Sequence, residues 1–207
     1  MTERTGPTLV TGEPPAAKDL SALRELFDLI AEDLRTVVAR DPSIRNGTEA
    51  LWHPALPALW SYRLAHLLHA KGFRLTARTI MIAARAVTGV EIHPGADIGR
   101  RVFIDHGAAV VIGETAVVGD DVTMYHQVTL GATGWWHDNL RAAGERRHPK
   151  IGAQVVLGTN ATVLGPVTIG DGAVIGAHAL IITDVPAGAR ALSPVATIKL
   201  RHEPLTA

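Results

Sequence analysis

Apolar residues recur along this chain with two different periods, and the change from one period to the other falls near residue 90. Before that point they lie three or four residues apart, which is the spacing of one face of an α-helix. After it they lie six residues apart, which matches neither a helix nor the two-residue alternation of a half-buried strand. The pattern therefore predicts a helical part followed by a part built from a short repeat.

The helical part is predicted to contain three helices. The first has Asp19 as a candidate N-cap and ends before Asp41-Pro42, because a proline cannot continue the hydrogen-bond ladder. The second spans 57–70 and the third 74–87, and a glycine follows each closely. The predicted apolar faces consist of Leu23, Phe27, Ile30, Leu34 and Val37 in the first helix and of Trp60, Leu64, Leu67 and Leu68 in the second.

The six-residue period is carried by thirteen large apolar side chains, and a small or β-branched residue follows most of them four residues later. A two-residue slip and one longer interruption break the series. A fixed short period is typical of a solenoid, in which stacked turns of chain share one core. The periodic residues are Ile92, Ile98, Ile104, Ile112, Val118, Met124, Leu130, Ile151, Leu157, Val163, Ile169, Ile175 and Ile181.

These patterns divide the chain into four parts. Residues 1–17 mix Gly, Pro, Thr and charge without a period, and we expect a disordered arm there. A helical region is expected over 18–89 and the solenoid over 90–190, with a protruding loop at 132–149. Residues 191–207 are expected to form a C-terminal tail.

Composition narrows the class of protein. The 20 Lys and Arg balance the 20 Asp and Glu, so nothing favours nucleic acid or an anionic membrane as a partner. There is no cysteine, which excludes disulfides and thiolate chemistry. No apolar run has the roughly 18 residues of a membrane span, and no signal peptide is recognisable. We expect a cytoplasmic protein.

Two places break the repeat, and such breaks often carry function. Asp105 and His106 come just before the two-residue slip. The longer interruption carries a tryptophan pair, Trp135 and Trp136, and the basic run RRHPK. A loop of this length suits either a lid over an anionic ligand or a solvated excursion.

The repeat resembles the bacterial transferase hexapeptide, which implies a left-handed parallel β-helix in which three hexapeptides make one triangular coil. With the helices before it, the expected fold class is α+β. The segments VEIHPGADIGRRVFIDHGAAVVIGET, VTLGATG and RRHPKIG resemble bacterial serine O-acetyltransferases. The resemblance implies acetyl transfer from acetyl-CoA to the hydroxyl of L-serine in cysteine biosynthesis. It also implies a homotrimer, either single or paired into a dimer of trimers.

The resemblance assigns the catalytic residues. His106 would be the general base, a role that suits imidazole because its pKa lies near neutrality. Glu91, fifteen residues earlier, would orient it, where many family members have aspartate.

It also assigns the substrate-binding residues. Arg147 would bind the carboxylate of the amino-acid acceptor, and Asp105 would bind its ammonium group. His148 would lie beside the reacting hydroxyl and assist the transfer. Each could instead be a solvated surface group.

Acetyl-CoA is the expected co-substrate, bound in the groove between neighbouring prisms. Gly131 and Gly134 would permit close approach of the backbone, with Thr133 between them as a hydroxyl contact. Lys150, or the basic stretch with Lys199, Arg201 and His202, would meet the phosphates.

No metal is expected. A zinc-dependent carbonic anhydrase on this fold would need three converging imidazoles, and His93, His106 and His126 are candidates for such a set. The DHG and RHPK motifs fit acetyl transfer better.

Three departures keep other functions open. The family's GGTG reads GATG, and a C-terminal turn that contacts CoA in relatives reads Ser193-Pro194-Val195-Ala196. The chain ends Leu-Thr-Ala, whereas members that dock into cysteine synthase end in isoleucine, so this docking is not expected. The alternatives are an acetyltransferase for homoserine, a sugar or a specialised-metabolite hydroxyl, and a non-catalytic assembly or regulatory subunit.

Overall fold

The computed structural model describes residues 15–138, 140–142 and 144–198. Most of the expected arm and the basic residues Lys199, Arg201 and His202 lie outside this part of the chain. No helix in the described residues is long and apolar enough to cross a membrane.

Four helices precede the repeat: α1 (Pro15–Arg40), α2 (Gly47–Ala50), α3 (Leu56–Ala70) and α4 (Arg74–Thr88). The first begins at Pro15, so Asp19 lies inside it rather than at its N-cap. A proline fits there because the first turn has no intrahelical use for its missing N–H.

Local sequence explains the other helix ends. α1 ends one residue before Asp41-Pro42, and Gly89 ends α4 in the left-handed conformation with φ 70°. The short α2 was not predicted. It forms because the Asn46 side chain accepts hydrogen bonds from the N–H groups of Thr48 and Glu49.

The predicted apolar faces of α1 and α3 are only partly right. Phe27 is 68% exposed and Leu64 is exposed, although both were expected to be buried. The helix α3 lies between α1, α4 and the first coil, so its buried surface is a different one. It consists of Leu56, Ala58, Leu59, Tyr62, Arg63 and Ala65.

The repeat forms three parallel sheets that make the sides of a triangular prism. The first sheet contains β1 (Glu91–Ile92), β4 (Val111–Ile112), β7 (Thr129–Gly131), β10 (Thr162–Leu164) and β13 (Leu180–Ile181). The second contains β2 (Asp97–Ile98), β5 (Val117–Val118), β8 (Lys150–Ile151) and β11 (Thr168–Ile169). The third contains β3 (Phe103–Ile104), β6 (Thr123–Met124), β9 (Val156–Leu157), β12 (Val174–Ile175) and β14 (Arg190–Ala191).

The thirteen periodic side chains are all buried inside the prism, as the six-residue period predicts. The stacked register is Ile92 on Ile112 and Ile112 on Leu130, with the first coil two residues longer than the second. The two extra residues displace the position that a small residue occupies in the repeat. Ala108, which the period places there, is exposed, and Val110 is buried instead.

Buried polar contacts fix the helices on the first coils. The guanidinium of Arg63 pairs with Asp33 at 3.1 Å and donates to the carbonyl oxygens of Ile98 and Gly99. The hydroxyl of Tyr62 donates to the Ala96 carbonyl at 2.7 Å. These contacts hold the middle of α3 and the C-terminal part of α1 beside β2 and the turn that follows it.

Candidate active site

His106 lies in the turn between β3 and β4, where the repeat slips. Its backbone is left-handed, with φ 61°, and its side chain is 69% exposed. Nε2 lies 3.8 Å from the Asp105 carboxylate. An exposed imidazole beside a carboxylate can accept a proton from a ligand at this corner.

His126 stacks on His106 in the next coil, as the sequence predicts. The two rings meet edge to face, with centroids 5.6 Å apart. Nδ1 of His126 is buried and has no hydrogen-bond partner in the described part of the chain. The pair therefore packs one ring against the other and leaves the outer ring, His106, open.

The structure adds Asp41 and His53 to this corner, which sequence reasoning missed. His53 is 4% exposed, and its Nε2 lies 3.8 Å from the Asp41 carboxylate. Because Nδ1 of His53 accepts the N–H of Ala55, the proton of the neutral ring is on Nε2 and faces Asp41. In the sequence, Asp41 is followed by Pro42, which indicates the end of a helix. Nothing in that pattern indicates that Asp41 lies near His106.

The charges at this corner act on one another. Hydrogen bonds from Ser43 lower the pKa of Asp41, and His53 and His106 add to this effect. Burial lowers the pKa of His53 despite the nearby carboxylates of Asp41 and Asp105. The corner therefore presents two carboxylates and one exposed imidazole.

A second group lies at the turn between β4 and β5. Arg147 forms an ion pair with Glu114, whose carboxylate also lies 3.8 Å from the Arg74 guanidinium. His148 is 8% exposed and receives hydrogen bonds from Thr115. Burial and then the charge of Arg147 lower the pKa of His148.

The interruption folds back onto the prism. It contains the short helix α5 (Trp135–Asp138), whose buried Asp138 accepts hydrogen bonds from Gly134 and Arg141. The Arg146 guanidinium donates to the carbonyl oxygens of Pro166 and Val167.

A cavity of about 410 Å³ lies between this loop and the β4–β5 turn. Its lining residues include Glu114, Thr115, Asp138, Arg141 and Arg147. Charges of both signs line it, so the loop covers a polar space beside Arg147.

The predicted contact between Glu91 and His106 is not made within one chain. The Glu91 carboxylate pairs with Arg85 at 2.8 Å, and no hydrogen bond or ion pair joins it to His106 in the described residues. The register explains this, because Glu91 stacks on Val111, which lies beyond the His106 turn. Arg85, in the last turn of α4, is the nearer partner.

One chain also does not bring the two predicted groups together. Asp105 and His106 lie at the corner between the third and first sheets. Arg147 and His148 contact the next corner, between the first and second sheets. The six-residue repeat explains the separation, since each turn places the following residues on another side of the prism.

The residues assigned to acetyl-CoA are likewise divided. Gly131 ends β7 in the first sheet and lies against Leu164, and Thr133, two residues later, lies against Gly165. Lys150 is exposed on β8 in the second sheet.

Gly134 has a local role. With φ 144°, it leaves no room for a Cβ, which would lie 2.8 Å from the ring of Trp136. Its close approach is therefore to the loop's own tryptophan, which is 56% exposed.

The three histidines considered for zinc do not converge. The ring of His93 lies 6.1 Å from that of His69, whereas His106 lies against His126. No group of three or more metal-ligating residues is found where the structure describes the chain.

Comparison with known proteins identifies the family to which this chain is related. Residues 148–183 match the family model "Bacterial transferase hexapeptide (six repeats)". The chain is 48% identical over 164 residues to the serine acetyltransferase of Helicobacter pylori, covering 79% of this chain and 92% of that protein.

Solved structures of serine acetyltransferases are also similar to this chain. Serine acetyltransferase isoform 3 of Entamoeba histolytica, in complex with cysteine, superposes with a TM-score of 0.80 at 34% identity. That match covers 89% of this chain, which spans 64% of the Entamoeba chain. The Brucella abortus serine acetyltransferase in complex with coenzyme A gives a TM-score of 0.77 at 31% identity, covering 87% and 71% of the two chains.

The repeat and its three parallel sheets thus define a hexapeptide-repeat transferase fold, a left-handed parallel β-helix with a helical N-terminal region. At 48% identity over nearly the whole of a curated relative, the chain belongs to the serine acetyltransferase family.

Proposed function

We propose that this protein transfers the acetyl group of acetyl-CoA to the hydroxyl of L-serine, giving O-acetylserine and CoA for cysteine biosynthesis in the cytoplasm. The observation that carries the proposal is the exposed imidazole of His106 at a corner that also holds two carboxylates, in a chain 48% identical to a serine acetyltransferase. The expected co-substrate is acetyl-CoA, the acetyl form of the cofactor in the Brucella complex.

In this proposal His106 removes the proton of the serine hydroxyl as the oxygen attacks the thioester carbonyl carbon. The carbon–sulfur bond then breaks, and the imidazolium returns the proton to the CoA sulfur. A positioned histidine is suited to both steps because its pKa lies near neutrality. Asp105 and Asp41 stabilise the imidazolium and bind the ammonium group of serine.

The separation of the His106 group from the Arg147 group within one chain is consistent with a homotrimer. Because His106 and Arg147 lie at successive corners of one prism, the His106 corner of one copy can face the Arg147 and His148 of a neighbouring copy. The serine carboxylate would then bind to Arg147 and its ammonium group to Asp105. The same groove would hold acetyl-CoA, with Gly131, Thr133 and Lys150 along its walls.

Glu91 remains the predicted orienting residue for His106. In the single chain its carboxylate is engaged with Arg85, so the role requires Glu91 to exchange that partner on assembly or substrate binding.

The experiment is CoA release from acetyl-CoA with serine, homoserine, threonine and amino sugars as acceptors, followed with a thiol reagent. The chain has no cysteine, so the enzyme adds no thiol signal. Turnover with serine above the other acceptors supports the proposal, and turnover only with another acceptor would refute it. Sedimentation of the same sample tests the trimer.

A further inference from the structure

The turn Gly113-Glu114-Thr115 binds the RHPK segment through its side chains and its backbone. The hydroxyl oxygen of Thr115 accepts hydrogen bonds from the backbone N–H of Arg147 at 2.8 Å and of His148 at 3.1 Å. Both lone pairs of that oxygen are then occupied. Its own proton can be donated, and the remaining neighbour is Nδ1 of His148 at 2.9 Å.

The backbone of Thr115 makes a second contact with the same ring atom. Its N–H donates to Nδ1 of His148 at 3.1 Å. A nitrogen that accepts a backbone N–H cannot carry a proton of its own, because two N–H groups would face each other. The proton of the neutral ring is therefore on Nε2.

The surroundings of the ring preserve this state. Protonation of Nδ1 would break both contacts with Thr115, and burial and the charge of Arg147 also lower the pKa of His148. The carboxylates of Asp138 and Glu114 act in the opposite direction, but more weakly.

The Nε2 atom is left available. No hydrogen bond joins it to any described residue, and the ring lies so close to Gly113 that a Cβ there would be 2.0 Å from Nε2. The ring thus has a fixed plane, a fixed proton and one unused donor.

We propose that Thr115 is a positioning residue that fixes His148 as the neutral Nε2–H tautomer. His148 then acts as a hydrogen-bond donor to an oxygen that carries or gains negative charge, and not as a second base. This deepens the proposed function and rests on it only for the identity of that oxygen. Donors of this kind typically contribute about 100-fold or more to turnover when the oxygen is the developing oxyanion.

The tautomer can be measured without any activity assay. In full-length protein with ¹⁵N-labelled histidine, long-range ¹H–¹⁵N correlation spectra distinguish the Nδ1–H, Nε2–H and doubly protonated rings, and His148→Gln assigns the signal. The expected result is an Nε2–H ring for His148 from about pH 8 to about pH 6, through the range where a free imidazole titrates. An Nδ1–H ring, or a ring that becomes doubly protonated near pH 6.5, would overturn the proposal.

Two pairs of variants test the role. The amide of His148→Gln reaches the Nε2 position and can donate, whereas that of His148→Asn reaches only the Nδ1 position. We expect the Gln variant to retain at least about 10-fold more turnover than the Asn variant, the usual effect of one hydrogen bond. Equal losses in both would contradict the donor role.

The second pair concerns Thr115. Thr115→Ser keeps the hydroxyl and should retain the activity and the His148 signal. Thr115→Val keeps the shape but loses the hydroxyl, and should lower turnover about 10-fold and perturb the His148 ring signal. An unchanged ring signal and unchanged turnover in the valine variant would remove Thr115 from the role. If the wild type releases no CoA with serine, the proposed function fails, and the tautomer is still decided by the spectrum.

Discussion

His106 and His178 occupy the same corner of the prism with the same left-handed backbone, φ 61° at each. Both lie in turns that join the third sheet to the first, at opposite ends of the stack. His178 receives one hydrogen-bond contact from Asn160, whereas His106 has Asp105 and His126 beside it. The two residues share their conformation and differ in their surroundings, which makes one a matched control for the other.

The first prediction follows from this pair. His106→Ala should lower turnover by about 100-fold or more, the usual contribution of a positioned base. His178→Ala makes the same chemical change in the same backbone conformation and should leave turnover near the wild-type rate. Initial rates of CoA release measure both, with circular dichroism as the check on folding. A His106→Ala enzyme with wild-type turnover would remove His106 from the mechanism.

A second prediction separates two neighbouring arginines. Arg147→Ala should raise the KM for serine far more than the KM for acetyl-CoA, because only the amino acid offers it a carboxylate. Arg146→Ala removes two hydrogen bonds to backbone carbonyls and should mainly lower stability. Steady-state kinetics with each substrate varied provide the comparison. Equal effects of Arg147→Ala on both KM values would argue against a carboxylate-binding role.

The third prediction concerns the glycine beneath His148. A Cβ on Gly113 would lie 2.0 Å from the imidazole, so Gly113→Ala must displace the ring and should cost about as much turnover as His148→Ala. The control is Gly176→Ala, where the nearest atom to the Cβ is the end of the exposed Leu192 side chain at 3.0 Å and the nearest backbone atoms are at 3.4 Å. Its turnover should stay near wild type. Full activity in the Gly113 variant would show that the position of the His148 ring is unimportant.

The fourth prediction is a pH dependence of stability. Burial lowers the pKa of His53, so on acidification the unfolded chain takes up a proton before the folded chain does. The free energy of unfolding should therefore be at its full value above about pH 6.5 and fall below it, towards the lower pKa of the folded state. The pKa values of His69, His93 and His148 are lowered too and act in the same direction.

Urea denaturation at fixed protein concentration measures this dependence. In His53→Gln the fall between about pH 6.5 and about pH 5.5 should be smaller than in the wild type, because one titrating group has gone. The other groups near His53, which are Asp41, Asp105 and His106, are unchanged in that variant. Identical pH profiles for the two proteins would contradict the assignment.

The fifth prediction decides the role of Glu91. If Glu91 orients His106 in the assembled enzyme, Glu91→Gln should lower turnover at least about 10-fold. Arg85→Gln removes the partner that Glu91 has in the single chain and should not lower turnover. Unchanged turnover in Glu91→Gln would show that Glu91 serves only its ion pair with Arg85.

The sequence predicts the prism well because its period is a direct consequence of the geometry. Ile92, Ile112 and Leu130 must point inward for the coils to stack, and all three are buried. The stacking of His126 on His106 follows from the same register.

The buried surface of α3 was harder to predict, because tertiary packing determines which of its residues are buried. Period alone favoured Leu64 as buried, yet Arg63 is the buried neighbour, because Asp33 and two backbone carbonyls satisfy its charge. No local pattern in α3 signals that partner, which lies thirty residues earlier.

The family resemblance predicted individual site residues. It could not predict how those residues are arranged in space. Asp41 and His53 reach the His106 corner only because α1 and α3 fold onto the first coils. Thr115 and His148 are in contact but are separated along the chain by the loop at 132–149. No local sequence pattern therefore indicates this contact.

The most direct test of the account is the acceptor panel: CoA release from acetyl-CoA with serine, homoserine, threonine and amino sugars at matched concentrations. We expect clear turnover with serine, the highest rate among these acceptors, and loss of that rate in His106→Ala. No CoA release with serine, together with turnover of another hydroxyl, would contradict the assignment of serine as the substrate.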